Sequence, residues 1–246
     1  MSIPRSISKS TIDISVNVSP IFNQVFNDIK MSIPRSISKS TIVIGVTIAL
    51  AGEQIVEAIH WRNVVDAQRQ ILKSVVEDNL GAVKARAVQQ GCVDARLAQL
   101  KTVFERHAAG KPLQMKGPVG RPQNNSIGDE IWALAVQSEA LNHMPLEERA
   151  GFAAAFSNFA NLLALREDAD RSWIDLAALD TPELLQEGDW VLLRHAYAQL
   201  IAKEARIKAV DAYVLQTQTA GVPVPTVTRK DALVAGYARA FCKPLI

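Results

Sequence analysis

Cysteine, histidine and aromatic residues are scarce in this 246-residue chain, and each shortage removes a class of chemistry. The two cysteines, Cys92 and Cys242, form no Cys-x-x-Cys, so thiol–disulfide catalysis has no motif to run on. The four histidines, His60, His107, His143 and His195, stand singly, without a His-x-x-x-His pair or a Cys–His cluster, so no zinc site is indicated. A Gly-x-Ser-x-Gly elbow is missing, which leaves a serine hydrolase without local support. Gly110–Gly120 carries neither Gly-x-Gly-x-x-Gly nor the Walker spacing, and it follows no strand signal. Glu167, Asp168 and Asp170 lack the turn glycine and terminal glutamate of a calcium loop and read as a solvated helix face. Three Tyr, seven Phe and four Trp among many Ala, Leu, Val, Gln, Glu and Arg residues favour helix over sheet, and a hydrophobic fraction of 48% suffices for a packed core. The composition predicts an all-α fold with no cofactor.

Excess charge is also missing from most of the chain. The formal charge is +2, yet residues 1–40 hold Arg5, Lys9, Lys30, Arg35 and Lys39 against Asp13 and Asp28, a net of +3 that leaves −1 for residues 41–246. A nucleic-acid binder needs a basic stripe on its folded part, so nucleic acid is not an expected partner.

In place of these the chain has a perfect repeat: Met1–Ile12 recurs without change at Met31–Ile42. Only the second copy runs into an apolar segment, Ile42–Ala51. Residues 13–30 after the first copy are broken by Asn17, Pro20, Asn23, Asn27 and Asp28, so the first copy leads into no span. Residues 1–30 read as a duplicated cytoplasmic prefix, expected to be disordered.

A membrane span takes roughly 20 helical residues at about 1.5 Å each. Ile42–Ala51 alone is half of that; extension to Trp61 reaches the length but admits Glu53, Gln54, Glu57 and His60. At about 100° per residue, Glu53, Glu57 and His60 share one stripe while Ile55, Val56, Ala58 and Ile59 cover most of the rest. The order predicts a basic start and a single transmembrane helix over 31–61, with a helical periplasmic domain over 62–246. Arg35, Lys39, Glu53, Glu57, His60, Trp61 and Arg62 are then membrane-interface residues, with Trp61 in the aromatic belt and inner-membrane lipid as a partner. Two alternatives stand beside it. Arg35 and Lys39, the apolar run and Ala49-Leu50-Ala51 also spell a signal peptide cut after Ala51, leaving the body periplasmic. A short apolar run can equally be a core helix of a soluble cytoplasmic bundle. In the first two, positive charge ahead of the apolar run keeps the N-terminus in the cytoplasm and exports the body on its other side.

Along the body, Val65, Leu72, Val76, Val83, Leu97, Leu100 and Phe104 recur at helical spacing to about His107, with bends expected at Gly81 and Gly91. Gly110–Ser126 reads as a long surface loop whose Lys111, Lys116 and Arg121 could meet lipid headgroups or an anionic partner. Ser126 and Asp129 are expected to cap a helix through Trp132 and Leu141. Pro145 opens a long helix carrying Phe152, Phe156, Phe159, Leu162, Leu163, Leu165, Trp173, Leu176 and Leu179, interrupted around Asp168–Asp170. Thr181-Pro182-Glu183 starts a short helix ended by Gly188, and Asp189 caps the next, through Trp190, Leu193, Tyr197, Leu200, Ile201, Ile207 and Tyr213. Gly221–Pro225 is a connector, and Thr228 opens a last helix to Cys242. Trp132, Trp173 and Trp190 fall on apolar faces and read as core.

The run Ile42–Ala51, Glu53-Gln54, His60-Trp61-Arg62, Cys92–Leu97, Trp132, His143-Met144-Pro145, Trp173 and Cys242-Lys-Pro-Leu together resemble a group of uncharacterised single-pass, membrane-anchored helical proteins of proteobacteria. The resemblance covers residues 35–246 and implies the anchored topology, with no function to transfer. Residues 1–30 depart from the pattern, which favours Met31 as the ancestral start.

An exported compartment allows Cys92 and Cys242 to pair, against the alternative of two buried thiols. Glu57-x-x-His60 matches half of a carboxylate-bridged di-metal site, but no second Glu-x-x-His exists in the chain, and a polar interface stripe accounts for it better. These readings predict a non-enzymatic, inner-membrane-anchored protein acting through contacts with a membrane or periplasmic protein, as an accessory subunit or homo-oligomer. The alternative from another class is an exported helical enzyme or ligand carrier whose dispersed site draws on Glu53, Glu57, His60 or the loop after Gly110.

Overall fold

Helix α1, Ser38–Val88, takes up a fifth of the chain and meets α2, Gln90–Ala108, across a single residue, Gln89. The computed structural model describes the backbone of residues 38–217, 219–227 and 236–246, and the side chains of these except 38–43 and 236–238. The duplicated prefix, Arg35, the side chain of Lys39 and Thr228 lie outside them. Among the described residues the remaining helices are α3 (Glu130–Val136), α4 (Leu146–Leu176), α5 (Glu187–Gln216) and α6 (Gly236–Phe241), with 3-10 turns at Glu139–His143, Ala177–Asp180, Pro182–Leu184 and Thr219–Gly221. Among the described residues there is no strand, and the body is a helical bundle.

Two compact units divide the chain, Met1–Glu57 and Ala58–Ile246. In the described part of the first, every side chain from Ile44 to Glu57 is exposed, Ile44, Val46, Ile48, Leu50, Ile55 and Val56 included. Among the described residues no helix is long and apolar enough to cross a membrane. Ile42 and Val43, which open the apolar run, are outside the described side chains.

In the second unit helical spacing decides which side chains are buried. Val65, Leu72, Val76, Leu80 and Val83 of α1 recur at three, four and seven residues and lie in the core with Val93, Leu100, Val103 and Phe104 of α2. Phe152, Phe156, Phe159, Leu162, Trp173 and Leu176 of α4 meet Trp190, Leu193, Leu200, Ile207 and Val214 of α5 in the same cluster. Each such side chain stabilises by about 1.5–3 kcal/mol. Helices α4 and α5 pack along one another and run antiparallel, since Arg166 pairs with Asp211 while Trp173, further along, pairs with Glu204.

Several boundaries differ from the sequence expectation. Gly81 stays helical, with Pro225 packed 3.6 Å from where a Cβ would be, and the α1–α2 break falls at Gln89. Ser126 caps nothing; Asp129 occupies the N-cap of α3, which stops at Val136 before the Glu139–His143 turn. No interruption occurs at Asp168–Asp170, because Ala169 and Trp173 continue the buried face of α4 and Asp168 and Asp170 point to Lys203 and Arg121. Gly188 lies inside α5: Gln186 is its N-cap, and the Gln186 backbone N–H donates to Asp189 Oδ2 at 2.8 Å in a capping box. Ile201 and Tyr213 are exposed on the outer face of α5.

The stretch from Gly110 to Gly128 has no regular structure, as expected, but it is a strap pinned to the helices. Gly110 and Gly120 take φ of +62° and +59°, a region glycine enters without Cβ strain. Val119 and Ile127 are buried, and Asn79 grips Gly128 through two hydrogen bonds, Nδ2 to the carbonyl at 2.8 Å and Oδ1 from the N–H at 2.9 Å.

Candidate functional site

The residues read from sequence as a membrane interface divide in the structure. Glu53 and Glu57 are exposed in the first unit; His60, Trp61 and Arg62 open the second. Trp61 is half-buried because His143, from the Glu139–His143 turn, stacks on its ring at 3.8 Å and 14°, while His60 meets its edge at 5.4 Å. Further along α1, Arg69 donates to Glu148 Oε2 at 2.8 Å and also pairs with Asp66. Those carboxylates hold its guanidinium pKa above its ordinary value. Ala58, Trp61, Arg62, Asp66, Arg69, His143 and Pro145 line a cleft of about 500 Å³. Sequence patterning points to Trp61 as a headgroup neighbour but gives no sign that His143, 82 positions away, stacks on it.

On the far side of the same turn, Trp132, Val136, Leu141, Asn142, Leu146 and Arg149 line a second cleft of about 330 Å³. Two further clefts lie elsewhere. One of about 520 Å³ sits against the strap, between Arg121, Asn124, Asp170 and Phe241, with Arg121 and Asp170 already paired. Another of about 430 Å³ lies between Asp175, Leu185, Leu192 and His195, where His195 bonds Gln199 at 2.8 Å. His107 is spent on structure, stacked on Trp190 at 3.6 Å with Nδ1 3.2 Å from an Arg194 nitrogen. Among the described residues no three His, Cys, Asp or Glu side chains are placed to hold a metal ion.

The most perturbed groups lie in the core. Arg86 Nη2 meets Glu204 Oε2 at 2.6 Å, and Trp173 Nε1 donates to the other carboxylate oxygen at 2.8 Å. Close by, Arg166 Nη2 meets Asp211 Oδ1 at 2.9 Å, and all four charged residues are buried. Burial lowers the Arg166 pKa and raises that of Asp211, each opposed by the partner's charge. None of the four lines any of these clefts, so the arrangement joins α1, α4 and α5 and offers substrate no access through them.

Cys92 and Cys242 form a disulfide with Cα atoms 5.0 Å apart. The C-terminal segment that it ties is held independently: Arg96, buried in α2, donates to the carbonyls of Phe241 at 2.7 Å, Lys243 at 2.9 Å and Pro118 at 2.9 Å. Its guanidinium also lies 5.2 Å from the Phe241 ring.

The roles of Arg86, Arg96, Arg166, Glu204 and Asp211 go unnoticed in the sequence, although a signal is there. Arg86 follows Val83 by three, Arg96 sits between Val93 and Leu100, and Glu204 and Asp211 flank Ile207 by three and four. Charge on the buried stripe of a helix marks a paired interior ion.

No family model, curated protein or solved structure matches the chain.

Proposed function

We propose that this chain is a single-pass membrane protein whose helical body lies on the exported side and acts through protein contacts rather than through a reaction of its own. The observation that carries the reading is the exposure of the apolar side chains Ile44, Val46, Ile48, Leu50, Ile55, Val56 and Ile59 along one helix. Beginning at Ile42 and reaching Trp61, such a segment has the length of a span, with Glu53 and Glu57 toward its exported end. The Cys92–Cys242 disulfide suits an oxidising compartment and therefore the same topology. An accessory subunit or homo-oligomer fits a body whose strongest polar constellation is sealed in the core and whose surface exposes Ile174, Leu184 and Leu192, the last lining the cleft beside His195.

Alkaline carbonate extraction and vesicle flotation of chains starting at Met1 and at Met31 test the anchor, and intact mass of the product reads cleavage at Ala51 and the state of the cysteines. Retention of both chains in the membrane, uncleaved and bridged, is the expected result. Recovery in the soluble fraction refutes the anchor. Mild extraction with size-exclusion and mass spectrometry tests the contacts, and a monodisperse monomer with no co-purifying protein refutes them.

A further inference from the structure

Between Trp190 and Gln216, helix α5 turns its acids inward and its bases outward. Glu204 and Asp211, the carboxylates of that span, are buried against Arg86 and Arg166, whereas Arg194, Arg206 and Lys208 are exposed. Lys208 reaches Asp94 of α2 at 3.2 Å, and Lys203, on the opposite edge, reaches Asp168 of α4 at 3.1 Å. Arg194 and Arg206 meet no carboxylate among the described residues. The exposed faces of α2 and α4 mix signs instead, with Asp94, Lys101 and Glu105 on one and Glu167, Asp168 and Arg171 on the other. Along α5 the surface between the two free arginines is apolar. Val191 is 63% exposed, Leu192 68% and Tyr213 55%, and with Ile201 they give this helix more exposed large apolar side chains than any other of the body among the described residues. Ala198, Ala202, Ala205, Ala209 and Ala212 are exposed as well and recur at four, three, four and three residues, the a and d spacing that a second helix can follow. From Val191 to Ala212 the seam runs about 32 Å at about 1.5 Å per residue. Arg194 and Ile201 stand on its g flank, Arg206 and Tyr213 on its e flank.

The charge and shape of this face select its occupant. A bilayer surface is entered by bulky side chains that reach about 5–10 Å deep, and the alanines along the middle of the seam offer none. A second copy sets bases against bases, with no exposed acid from Trp190 to Gln216 of either chain to meet Arg194 or Arg206. A foreign helix with larger apolar side chains at a and d and carboxylates at e and g answers both features. Its apolar side chains fill a seam that the alanines leave shallow, which brings the two axes close, and its carboxylates reach the arginines on either flank. We propose that the outer face of α5 docks an acidic amphipathic helix of another protein, laid along Val191–Ala212 with carboxylates on Arg194 and Arg206. This rests on the reading that the body acts through protein contacts, and it names the surface and the chemistry of the partner.

The test uses the full chain in mild detergent and two labelled helical peptides of about three heptads, both with leucine at a and d, one with glutamate and one with lysine at e and g. Fluorescence anisotropy should show the glutamate peptide binding about tenfold or more tighter than the lysine peptide, and R194E/R206E should invert that order. A205Q, which adds bulk to the seam without opposing the helix, should weaken the glutamate peptide by about tenfold or more. All three positions are exposed, so the fold tolerates the changes, and an unaltered circular dichroism spectrum and urea midpoint check it. Absence of binding, equal binding of the two peptides, or binding that A205Q leaves unchanged overturns the docking. So does a homo-oligomer that A205Q dissociates, which assigns the face to a second copy. A polarity-sensitive dye on A205C that shifts to the blue in phosphatidylglycerol vesicles without peptide assigns the face to lipid and equally overturns it. A co-purifying protein that R194E/R206E retains overturns this docking and leaves the contact reading standing, whereas a monodisperse monomer with no co-purifying protein refutes that reading and the docking with it.

Discussion

Opening the Cys92–Cys242 bridge alters the unfolded chain far more than the folded one, and the sizes of the two effects can be worked from the structure. The bond closes a separation of 150 residues, and loop-closure entropy for that length restrains the unfolded ensemble by about 5 kcal/mol. On the folded side the C-terminal segment keeps its other attachments. Arg96 holds the carbonyls of Phe241 and Lys243, Gln99 Oε1 accepts the Leu245 N–H at 2.9 Å, and the Lys116 N–H donates to the Leu245 carbonyl at 2.7 Å. Each bond contributes about 1 kcal/mol net, and burial of Phe241 and of Leu245 adds about 1.5–3 kcal/mol each. The segment therefore stays docked when the sulfurs are parted. Urea unfolding of the full chain in mild detergent, compared with C92A/C242A, should show the midpoint falling by the equivalent of about 3–5 kcal/mol, with a steeper denaturant dependence because the unlinked unfolded chain exposes more surface. Amide exchange of Leu245 in native buffer should remain slow in both. An unchanged midpoint refutes the entropic argument, and rapid exchange at Leu245 in the variant refutes the claim that the segment holds without its sulfur tie.

Three further perturbations probe the interior and the strap. R86M strands the Glu204 carboxylate in the core and should cost about 3–5 kcal/mol in urea unfolding, while R86M/E204Q, which keeps an acceptor for Trp173 Nε1, should regain most of it; equal losses would show that the charges are not coupled. N79A removes both hydrogen bonds to Gly128 and should cost about 1–3 kcal/mol, with limited proteolysis shifting into the strap near that glycine; an unchanged cleavage pattern counts against the grip. Asp211 has its pKa raised by burial, so the folded chain takes up this proton more readily than the unfolded one. Its contribution is full below the ordinary carboxylate range and is lost as pH rises through the raised value, so D211N should flatten that limb of the stability–pH curve, and an unaltered curve would refute it.

Helix identity was legible wherever an apolar stripe was long. Phe152 to Leu176 and Trp190 to Val214 recur at three and four residues, and both stretches are helices with those faces inside. The cysteine pair was legible as well, since two cysteines alone in the chain have one possible partner each. Boundaries set by tertiary contacts were not. Gly81 fits within α1 against Pro225, and Gly188 enters the first turn of α5 because Gln186 and Asp189 cap it reciprocally. Stacking of His143 on Trp61 and the grip of Asn79 on Gly128 link positions 82 and 49 apart, and no local pattern encodes such meetings.

The way the strap is attached bears on which residues can change over time. Asn79 and Gln89 address it through the main chain alone: the primary amide of Asn79 presents a donor and an acceptor to Gly128, and Gln89 does the same to the N–H of Gln123 at 3.2 Å and its carbonyl at 3.4 Å. Peptide groups are common to every residue type, so these clasps are indifferent to the side chain they pass beneath. Positions 123–126 of the strap are thus open to drift or to replacement by a foreign peptide of equal length, while the two amides on the helical side admit almost no substitute. The stretch from Gln123 to Gly128 is therefore gripped at each end by an amide outside it, and a graft that kept its length would inherit a ready-made mount.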